Sequence, residues 1–249
     1  MLYFIIGFGL FMTFFPRIIT EGNAPQLLSG FNTMSKEQQA AVDLKGLLQE
    51  LRNFHLKVGG FCTGLALILY AVNYKDAAMF TVSLGPMLGY IYLIPRMQNY
   101  YGKSNSDIQK QAKIGLWLLV IVLVAVAGLL VYGYQDNTLE ISSDKLKFSG
   151  MYGLEISKKE APQLFEINRL PPLTKRINGF ATQHMRKGKF RVKSGKKVHL
   201  LLNELQGPYL EIKRDRKPSV YFSLGTNATT QLNRLRQLGW SVTRPSTND

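Results

Sequence analysis

The residues best suited to binding chemistry lie in a short basic stretch, 186–193. Its cations at alternate positions are Lys187, Lys189, Arg191 and Lys193. Because alternate side chains of an extended strand point to the same face, one strand is predicted to present these cations together while Phe190 and Val192 point to the core. Such a face suits anionic lipid headgroups, another acidic polymer or an acidic protein. An ordinary solvated strand face is the alternative, because charged outward faces are common.

Few residues are suited to catalysis. His55 lies at a predicted membrane boundary, while His184 and His199 lie on presumed strands without a cysteine or paired carboxylate nearby in sequence. General acid–base catalysis and metal binding both need convergent partners. The single cysteine, Cys62, excludes an intrachain disulfide and a cysteine-based zinc site. We therefore expect no catalytic residue, no metal ligand and no cofactor, and a protein that is not an enzyme.

The chain that carries these residues divides at one long apolar run, Ile114–Tyr134. Residues 114–132 contain no charge, and a helix needs about 20 apolar residues to cross the hydrocarbon core. Ten Lys/Arg and six Asp/Glu lie at or before residue 134, whereas 21 and 10 follow it, so most of the net charge of +15 belongs to the second half. The sequence predicts a membrane anchor over 1–134, a basic domain over 138–240 and a tail over 241–249.

Four membrane spans are predicted in the anchor. Besides Ile114–Tyr134, they are Met1–Phe15, Val58–Val72 and Ala77–Ile94. The first run lacks the basic leader and cleavage site of a secretory signal, so an uncleaved span is favoured over a signal peptide. The four runs contain no Asp, Glu, Lys, Arg or His. Because ion and proton pathways usually need such residues, this composition disfavours a transporter.

Two glycine pairs, Gly60 with Gly64 and Gly85 with Gly89, follow the small-xxx-small pattern of closely packed membrane helices. They predict that the second and third spans pack on each other or on a second copy. Glycines scattered through apolar helices are the alternative, because glycine is common in membrane spans.

An amphipathic helix is predicted over 36–54, feeding directly into the second span. Ser35 and Gln38 fit a capping box at its start. The apolar residues that then recur at helical spacing are Leu44, Leu47, Leu48, Leu51 and Phe54. This stripe is predicted to lie on the membrane surface or on a partner, or else to pack against the chain's own spans.

The string from Ser29 to Glu37, SGFNTMSKE, with Asp43 beyond it and an apolar run on each side, resembles the signature of a small bacterial membrane family. Members of that family carry glycine, an aromatic residue, Asn-Thr-Met, then Ser or Pro followed by Lys-Glu, between their first two spans. The family has no assigned function. The resemblance therefore implies a multi-span topology and no mechanism.

After Tyr134 the pattern changes to an alternation typical of half-buried strands, as in Leu146/Phe148 and Val220/Phe222. The alternation predicts about seven short antiparallel strands separated by glycine and proline turns. A final helix is predicted over 227–238, with Asn227 as N-cap and Gly239 as terminator. Together these elements predict a small barrel plugged at one end by the helix.

Four short segments in the second half resemble the bacterial pleckstrin-homology-like domain. They are Met151–Ile156, Arg176–Gly179, Gly188–Phe190 and Pro208–Ile212. In that family a bent seven-stranded barrel is capped by a C-terminal helix. The resemblance covers 138–240 and implies a binding or assembly module. The basic strand lies in the middle of the domain, unlike the phosphoinositide motifs of pleckstrin domains, so that specificity is not implied.

The distribution of Lys and Arg predicts the orientation in the membrane. Polar segments 16–57 and 96–113 are rich in Lys and Arg, whereas the hairpin at 73–76 has only Lys75. Since short cytoplasmic loops carry the excess of basic residues, the N-terminus, the hairpin and the second half are predicted to be extracytoplasmic.

The predicted partners are the lipid bilayer, an anionic lipid or polymer, and a protein partner or a second copy of the chain. Nucleic acid is excluded by the predicted exterior location and by the lack of a recognisable motif. The sequence favours a non-catalytic binding or assembly module at the membrane. A regulatory subunit of a membrane enzyme or transporter complex is the alternative.

Overall fold

The computed structural model describes residues 1–28, 30–101, 106–161 and 163–244. The chain forms two compact units that divide between Ala127 and Gly128. The division falls inside the last long helix, ahead of the predicted boundary at residue 134. The first unit is helical, and the second contains the last turns of that helix followed by mostly β structure.

The helical unit is built on four long apolar helices. The helices of this part of the chain are α1 (Leu2–Ile18), α2 (Ala24–Leu27), α3 (Lys36–Ala40), α4 (Leu44–Ala71), α5 (Lys75–Met97) and α6 (Ser106–Tyr134). Within the described residues, α4, α5 and α6 are long and apolar enough to cross a membrane. The 17 residues of α1 span about 25 Å, which is less than a hydrocarbon core of about 30 Å. Three of the four predicted spans therefore reach spanning length.

The segment between α1 and α4 folds onto the first half of α4. Its buried apolar side chains are Ile19, Ala24, Leu28, Phe31, Met34 and Val42. They pack against the predicted stripe of α4, including Leu47, Leu51 and Phe54, and against Leu93 of α5. The amphipathic stripe thus packs mainly against the segment between α1 and α4. Its contact with Leu93 of α5 agrees with the second alternative, packing against the chain's own spans.

The helix predicted over 36–54 is divided in two. The capping box is confirmed, because Ser35 Oγ accepts from the Gln38 amide and Gln38 Oε1 accepts from the Ser35 amide. However, α3 ends at Ala40 and α4 begins only at Leu44. Asp43 Oδ1 accepts from the Gly46 amide at 2.9 Å and so provides a second N-cap. The prediction of one continuous helix is therefore wrong, although α4 does continue without a break from its amphipathic part into the span.

Helix α5 approaches α4 through the second glycine pair. A Cβ atom on Gly85 would lie 2.6 Å from Cys62 Sγ, and one on Gly89 would lie 3.0 Å from Phe54 Cζ. The distance at Gly85 is shorter than real Cβ contacts, so a side chain there would displace Cys62, whereas a side chain at Gly89 would require Phe54 to shift by a few tenths of an ångström.

The first glycine pair makes no such contact. Among the described residues, no atom lies within 4 Å of a Cβ built on Gly60 or Gly64. The neighbouring Gly59 instead faces α1, where a Cβ would lie 2.6 Å from Met12 Cβ. Gly60 and Gly64 therefore do not mediate the packing of α4 on α5, which meets α4 at Phe54, Val58 and Cys62. Packing of these two glycines on a second copy stays a prediction.

The β unit contains two sheets and one helix. Its strands are β1 (Leu139–Ile141), β2 (Lys145–Phe148), β3 (Glu155–Ser157), β4 (Gln163–Ile167), β5 (Leu173–Ala181), β6 (Arg186–Val192), β7 (Lys197–Leu202), β8 (Tyr209–Arg214), β9 (Lys217–Ser223) and β10 (Val242–Thr243). In the described residues, β1, β2 and β3 form one antiparallel sheet. The second sheet has the order β10-β4-β8-β9-β7-β6-β5.

Two strand pairs differ from the predicted antiparallel arrangement. β8 and β9 form an antiparallel hairpin, and β9 instead of β8 lies next to β7. Strand β9 therefore runs parallel to β7. Strand β10 lies parallel to β4 and was predicted as tail. Residues 245–249 of the predicted tail lie outside the described residues.

The final helix, α7 (Ala228–Gln237), covers a buried core. Leu232, Leu235 and Trp240 pack in one cluster with side chains of both sheets, including Ile156 and Ile212. Gly239 terminates the helix as predicted, with φ +76°, and the Trp240 amide donates to Leu235 O at 2.9 Å. Asn227 occupies the N-cap position without a side-chain capping hydrogen bond.

The glycine contacts give a paired test of the anchor. We expect Gly85→Val to destabilise the packing of α5 on α4, since the added side chain would overlap Cys62 Sγ, and overpacking costs about 1–3 kcal/mol. Gly60→Val is the matched control, because its added atoms meet open space. Thermal unfolding of the full chain in detergent measures both. Equal melting temperatures for the two variants would contradict the described helix contact.

Candidate anion-binding surface

Strand β6 presents three of its four predicted cations to solvent. Lys189 and Arg191 are exposed, and Lys193 is exposed just beyond the strand. Between them, Phe190 and Val192 are 4% and 6% exposed and belong to the core. The alternation predicted for this part of the strand is therefore confirmed.

Lys187 does not belong to the exposed face. Its side chain is 0% exposed, and its Nζ donates to Gly133 O at 3.0 Å and to Gln135 O. These carbonyls lie at the C-terminal end of α6, where the last carbonyls of a helix lack intrahelical donors. Lys187 shares the parity of Lys189 as predicted, but the end of α6 covers its part of the strand. Burial lowers the pKa of the Lys187 amine.

Neighbouring strands extend the exposed face sideways. Lys175 of β5 and Lys197 of β7 lie opposite Arg191, one on each side. Adjacent strands lie about 4.8 Å apart, so three cations form a row across three strands. We call Lys175, Lys189, Arg191, Lys193 and Lys197 the basic surface. The sequence alone did not place Lys175 and Lys197 beside Arg191, because their positions relative to Arg191 depend on strand register.

The β5 side of the basic surface is irregular. β5 is the last strand of its sheet, and its pairing with β6 shifts register between Leu173 and Lys175 and again between Arg176 and Asn178. Such bulges bend an edge strand and turn side chains outward. Residues 174–178 are accordingly all exposed.

The charges of the basic surface are not neutralised by neighbouring carboxylates. Among the described residues, none of its five cations makes an ion pair. Like charges placed directly opposite each other on adjacent strands are destabilising. A bound anion would therefore relieve repulsion in the row and gain electrostatic energy at the same time.

The three histidines lie in different environments. His55 Nε2 lies 2.7 Å from Tyr90 Oη, and its Nδ1 lies 2.7 Å from Leu51 O. His199 Nε2 lies 2.8 Å from Tyr152 O, and burial lowers the pKa of the His199 imidazole. His184 is exposed. In the part of the chain that the structure describes, no three His, Cys, Asp or Glu side chains come together as metal ligands.

The helices and sheets define a membrane-associated, multi-pass class of protein with a C-terminal β domain. Residues 4–101, which cover most of α1 and all of α2 to α5, match the family model of a domain of unknown function, DUF3784. No curated protein and no solved structure matches the chain. The family match agrees with an N-terminal membrane-type region of unknown function.

The signature string has a structural role in the helical unit. Phe31 and Met34 are buried, and Gln39 Nε2 donates to both of their backbone carbonyls, at 3.0 and 3.3 Å. Thr33 Oγ1 donates to Gly30 O at 3.0 Å, while Ser29 lies outside the described residues. The buried side chains of the signature, together with the hydrogen bonds from Gln39 just after it, thus hold the segment between α1 and α4 in place.

Lys187 and Lys189 provide a matched pair for mutation. We expect Lys187→Met to destabilise the β unit, because it removes the donor to Gly133 O and Gln135 O. Leaving the buried Gly133 carbonyl unsatisfied costs about 1–3 kcal/mol. Lys189→Met should have little effect, since that side chain is exposed. Hydrogen–deuterium exchange of the strands in the full chain measures both, and equal protection would contradict the assigned cap.

The lowered pKa of Lys187 predicts a pH dependence. The folded protein binds fewer protons at this residue than the unfolded protein in the interval below pH 10.5. The contribution of Lys187 to the free energy of unfolding should therefore increase with pH in that interval. This increase should be absent from Lys187→Met and present in Lys189→Met when exchange is measured across the alkaline range.

Proposed function

We propose that this protein is a multi-pass membrane protein whose β domain is a non-catalytic module that binds an anionic surface beside the bilayer. The observation that carries this proposal is the row of Lys175, Arg191 and Lys197 across three strands. Within the described residues, no carboxylate pairs with this row. Anionic lipid headgroups or another acidic polymer fit it by charge.

The short connection to α6 favours this function. Only residues 135–138 separate the end of α6 from β1. Such a short tether gives the domain a high effective concentration at the bilayer even if its intrinsic affinity is low. Each basic residue near an anionic surface contributes about 1 kcal/mol. Five residues therefore favour docking by several kcal/mol at low ionic strength, and by less once salt screens the charges.

We also propose that the β domain is a pleckstrin-homology-like domain. In support, β5, β6 and β7 follow one another as an antiparallel meander, and the hairpin of β8 and β9 leads into α7. Leu232 and Leu235 of α7 are buried in the core. These features agree with a sheet covered by a C-terminal helix, and domains of that class act as binding or assembly modules.

We propose further that α1 crosses the membrane as the fourth span. Its contact with α4 supports this, because Gly9 faces Thr63 and Met12 faces Gly59 along one side of α4. The orientation of the β domain does not depend on α1. If α4, α5 and α6 each cross, the turn after Ala71 and the β domain lie on the same side. The scarcity of basic residues in that turn favours the extracytoplasmic side.

Charge reversal tests the basic surface. We expect Lys189→Glu/Arg191→Glu/Lys193→Glu to retain the fold, because these side chains are exposed. The unmodified full chain, held in phosphatidylcholine nanodiscs, should co-float with phosphatidylglycerol-rich vesicles at low salt, and the reversed variant should not. The unmodified chain should also lose co-flotation as salt rises.

Lys159→Glu/Arg234→Glu/Arg236→Glu is the control for this experiment. It makes the same change in net charge at exposed positions outside the basic surface, so it should keep most of the co-flotation. If the unmodified chain ignores anionic vesicles, or if both variants behave alike, docking of the basic surface on lipid is wrong.

Reporter fusions test the orientation. Fusions after Tyr74 and after Asn227 should both show an extracytoplasmic reporter in a bacterial host. A fusion after Tyr100, between α5 and α6, should show a cytoplasmic reporter. A cytoplasmic reporter at Asn227 would overturn the proposed side for the β domain.

A further inference from the structure

A second basic feature of the β unit is a concave pocket of about 750 Å³. It lies between the turn that joins β6 to β7 and the turn that joins β8 to β9. Its basic lining residues are Lys196, Lys197, Lys213, Arg214, Arg216 and Lys217. Glu211 is the carboxylate among the lining residues. The pocket therefore concentrates positive charge from two hairpins in one concavity.

The carboxylates near the pocket neutralise little of this charge. Glu211 Oε1 accepts from Tyr221 Oη at 2.8 Å, and Lys217 Nζ pairs with Glu160 Oε2 at 3.0 Å. Asp215 lies in the turn between β8 and β9 but does not line the pocket. Among the described residues, the other basic side chains of the lining make no ion pair.

Arg214 is half-buried and is held in a fixed orientation. Its Nε and Nη2 both donate to Pro218 O, at 2.9 and 2.7 Å. No carboxylate of the described residues pairs with this guanidinium, and burial lowers its pKa. Burying this charge is costly, and the nearby Glu160 carboxylate, which pairs with Lys217, offsets the cost only in part. The oriented guanidinium is suited to bind the oxygens of an anion.

Arg216 occupies a backbone conformation that suits other residues better. Its φ of +56° lies in the left-handed region, which glycine, asparagine and aspartate tolerate best. Glycine at this position of the turn would relieve the strain. The arginine thus adds a cation to the rim of the pocket at the expense of local stability, a combination that often marks a functional position.

We propose that this pocket binds a phosphate-bearing ligand. A phosphate group offers several charged oxygens, and arginine and lysine are the side chains that most often hold it. Two sources supply this chemistry, a soluble phosphate compound and a phosphorylated lipid headgroup. The proposal goes beyond the anionic-surface function, because Arg214 and Arg216 are not part of the basic surface. Lys197 is shared by both sites.

Inorganic pyrophosphate is the probe for the soluble source. Isothermal titration calorimetry uses the full chain in phosphatidylcholine nanodiscs, with sodium chloride at matched ionic strength as the reference. We expect saturable binding of pyrophosphate that Arg214→Gln/Arg216→Gly weakens by about tenfold or more, since charged hydrogen bonds are lost. Arg234→Gln/Arg236→Gln removes two exposed charges on α7 and should bind like the unmodified chain.

The single variant Arg216→Gly separates binding from folding. Its melting temperature should equal or exceed that of the unmodified chain, because glycine fits the left-handed turn. Its affinity for pyrophosphate should nevertheless fall. A purely structural role for Arg216 would leave the affinity unchanged.

Vesicles distinguish the lipid source. If the ligand is a lipid headgroup, the nanodisc-held chain should co-float more strongly with vesicles containing phosphatidic acid than with phosphatidylglycerol vesicles of equal charge. This difference should depend on Arg214 and Arg216. Binding of pyrophosphate without this difference identifies a soluble ligand. The proposal is overturned if neither probe binds saturably, or if Arg214→Gln/Arg216→Gly binds both as tightly as the unmodified chain. Neither result alters the expected flotation with phosphatidylglycerol, which is judged by the variant at Lys189, Arg191 and Lys193, since none of these three residues lines the pocket.

Discussion

The contact between Lys187 and the end of α6 is the constraint on which the arrangement of the β unit depends. A helix end leaves carbonyls without donors, and the Lys187 amine satisfies Gly133 O and Gln135 O from a fully buried position. Phe180 of β5 lies beside the same turn, with its ring 5.3 Å from that of Tyr134. Together these contacts hold β5 and β6 against the last turn of α6.

This attachment also determines which cations of β6 are available. Lys187 is withdrawn from solvent near one end of the strand, whereas Lys189, Arg191 and Lys193 are exposed. Phe190 and Val192 anchor the opposite face in the core. The exposed cations therefore stand on a strand whose orientation is held on both faces. If this surface binds an anion as proposed, it would need little reorganisation when the anion arrives.

The sequence predicted what depends on local periodicity and capping. Alternation along β6 placed Phe190 and Val192 in the core, and the capping box placed the start of α3 at Lys36. Periodicity does not reveal what covers a face, so Lys187 was grouped with Lys189. It also does not reveal strand register, so Lys175 and Lys197 were not recognised as neighbours of Arg191. The pocket could not be predicted either, because it forms only where the β6–β7 turn and the β8–β9 turn come together in the fold.

The same limit applies to the helical unit. The two glycine pairs have the same spacing, yet Gly85 and Gly89 face α4 while Gly60 and Gly64 face no described atom. Spacing indicates that one side of a helix is smooth, whereas the neighbours decide which side is used. Asp43 likewise suits a helix interior poorly. Its backbone amide donates to Tyr100 O, and this long-range hydrogen bond, which the sequence does not reveal, holds the turn that precedes α4.

The basic surface also affects solubility, because part of it lies on the bulged edge strand β5. An edge strand offers unpaired backbone groups to any other extended chain, and lysine side chains and bulges are common protections against such pairing. Lys175 and Arg176, exposed on this strand, therefore repel the same edge of another copy. An anionic polymer that neutralises them would lower this barrier and bring the edges of two copies together. The proposed binding of an anion and the resistance to aggregation would thus depend on the same charges.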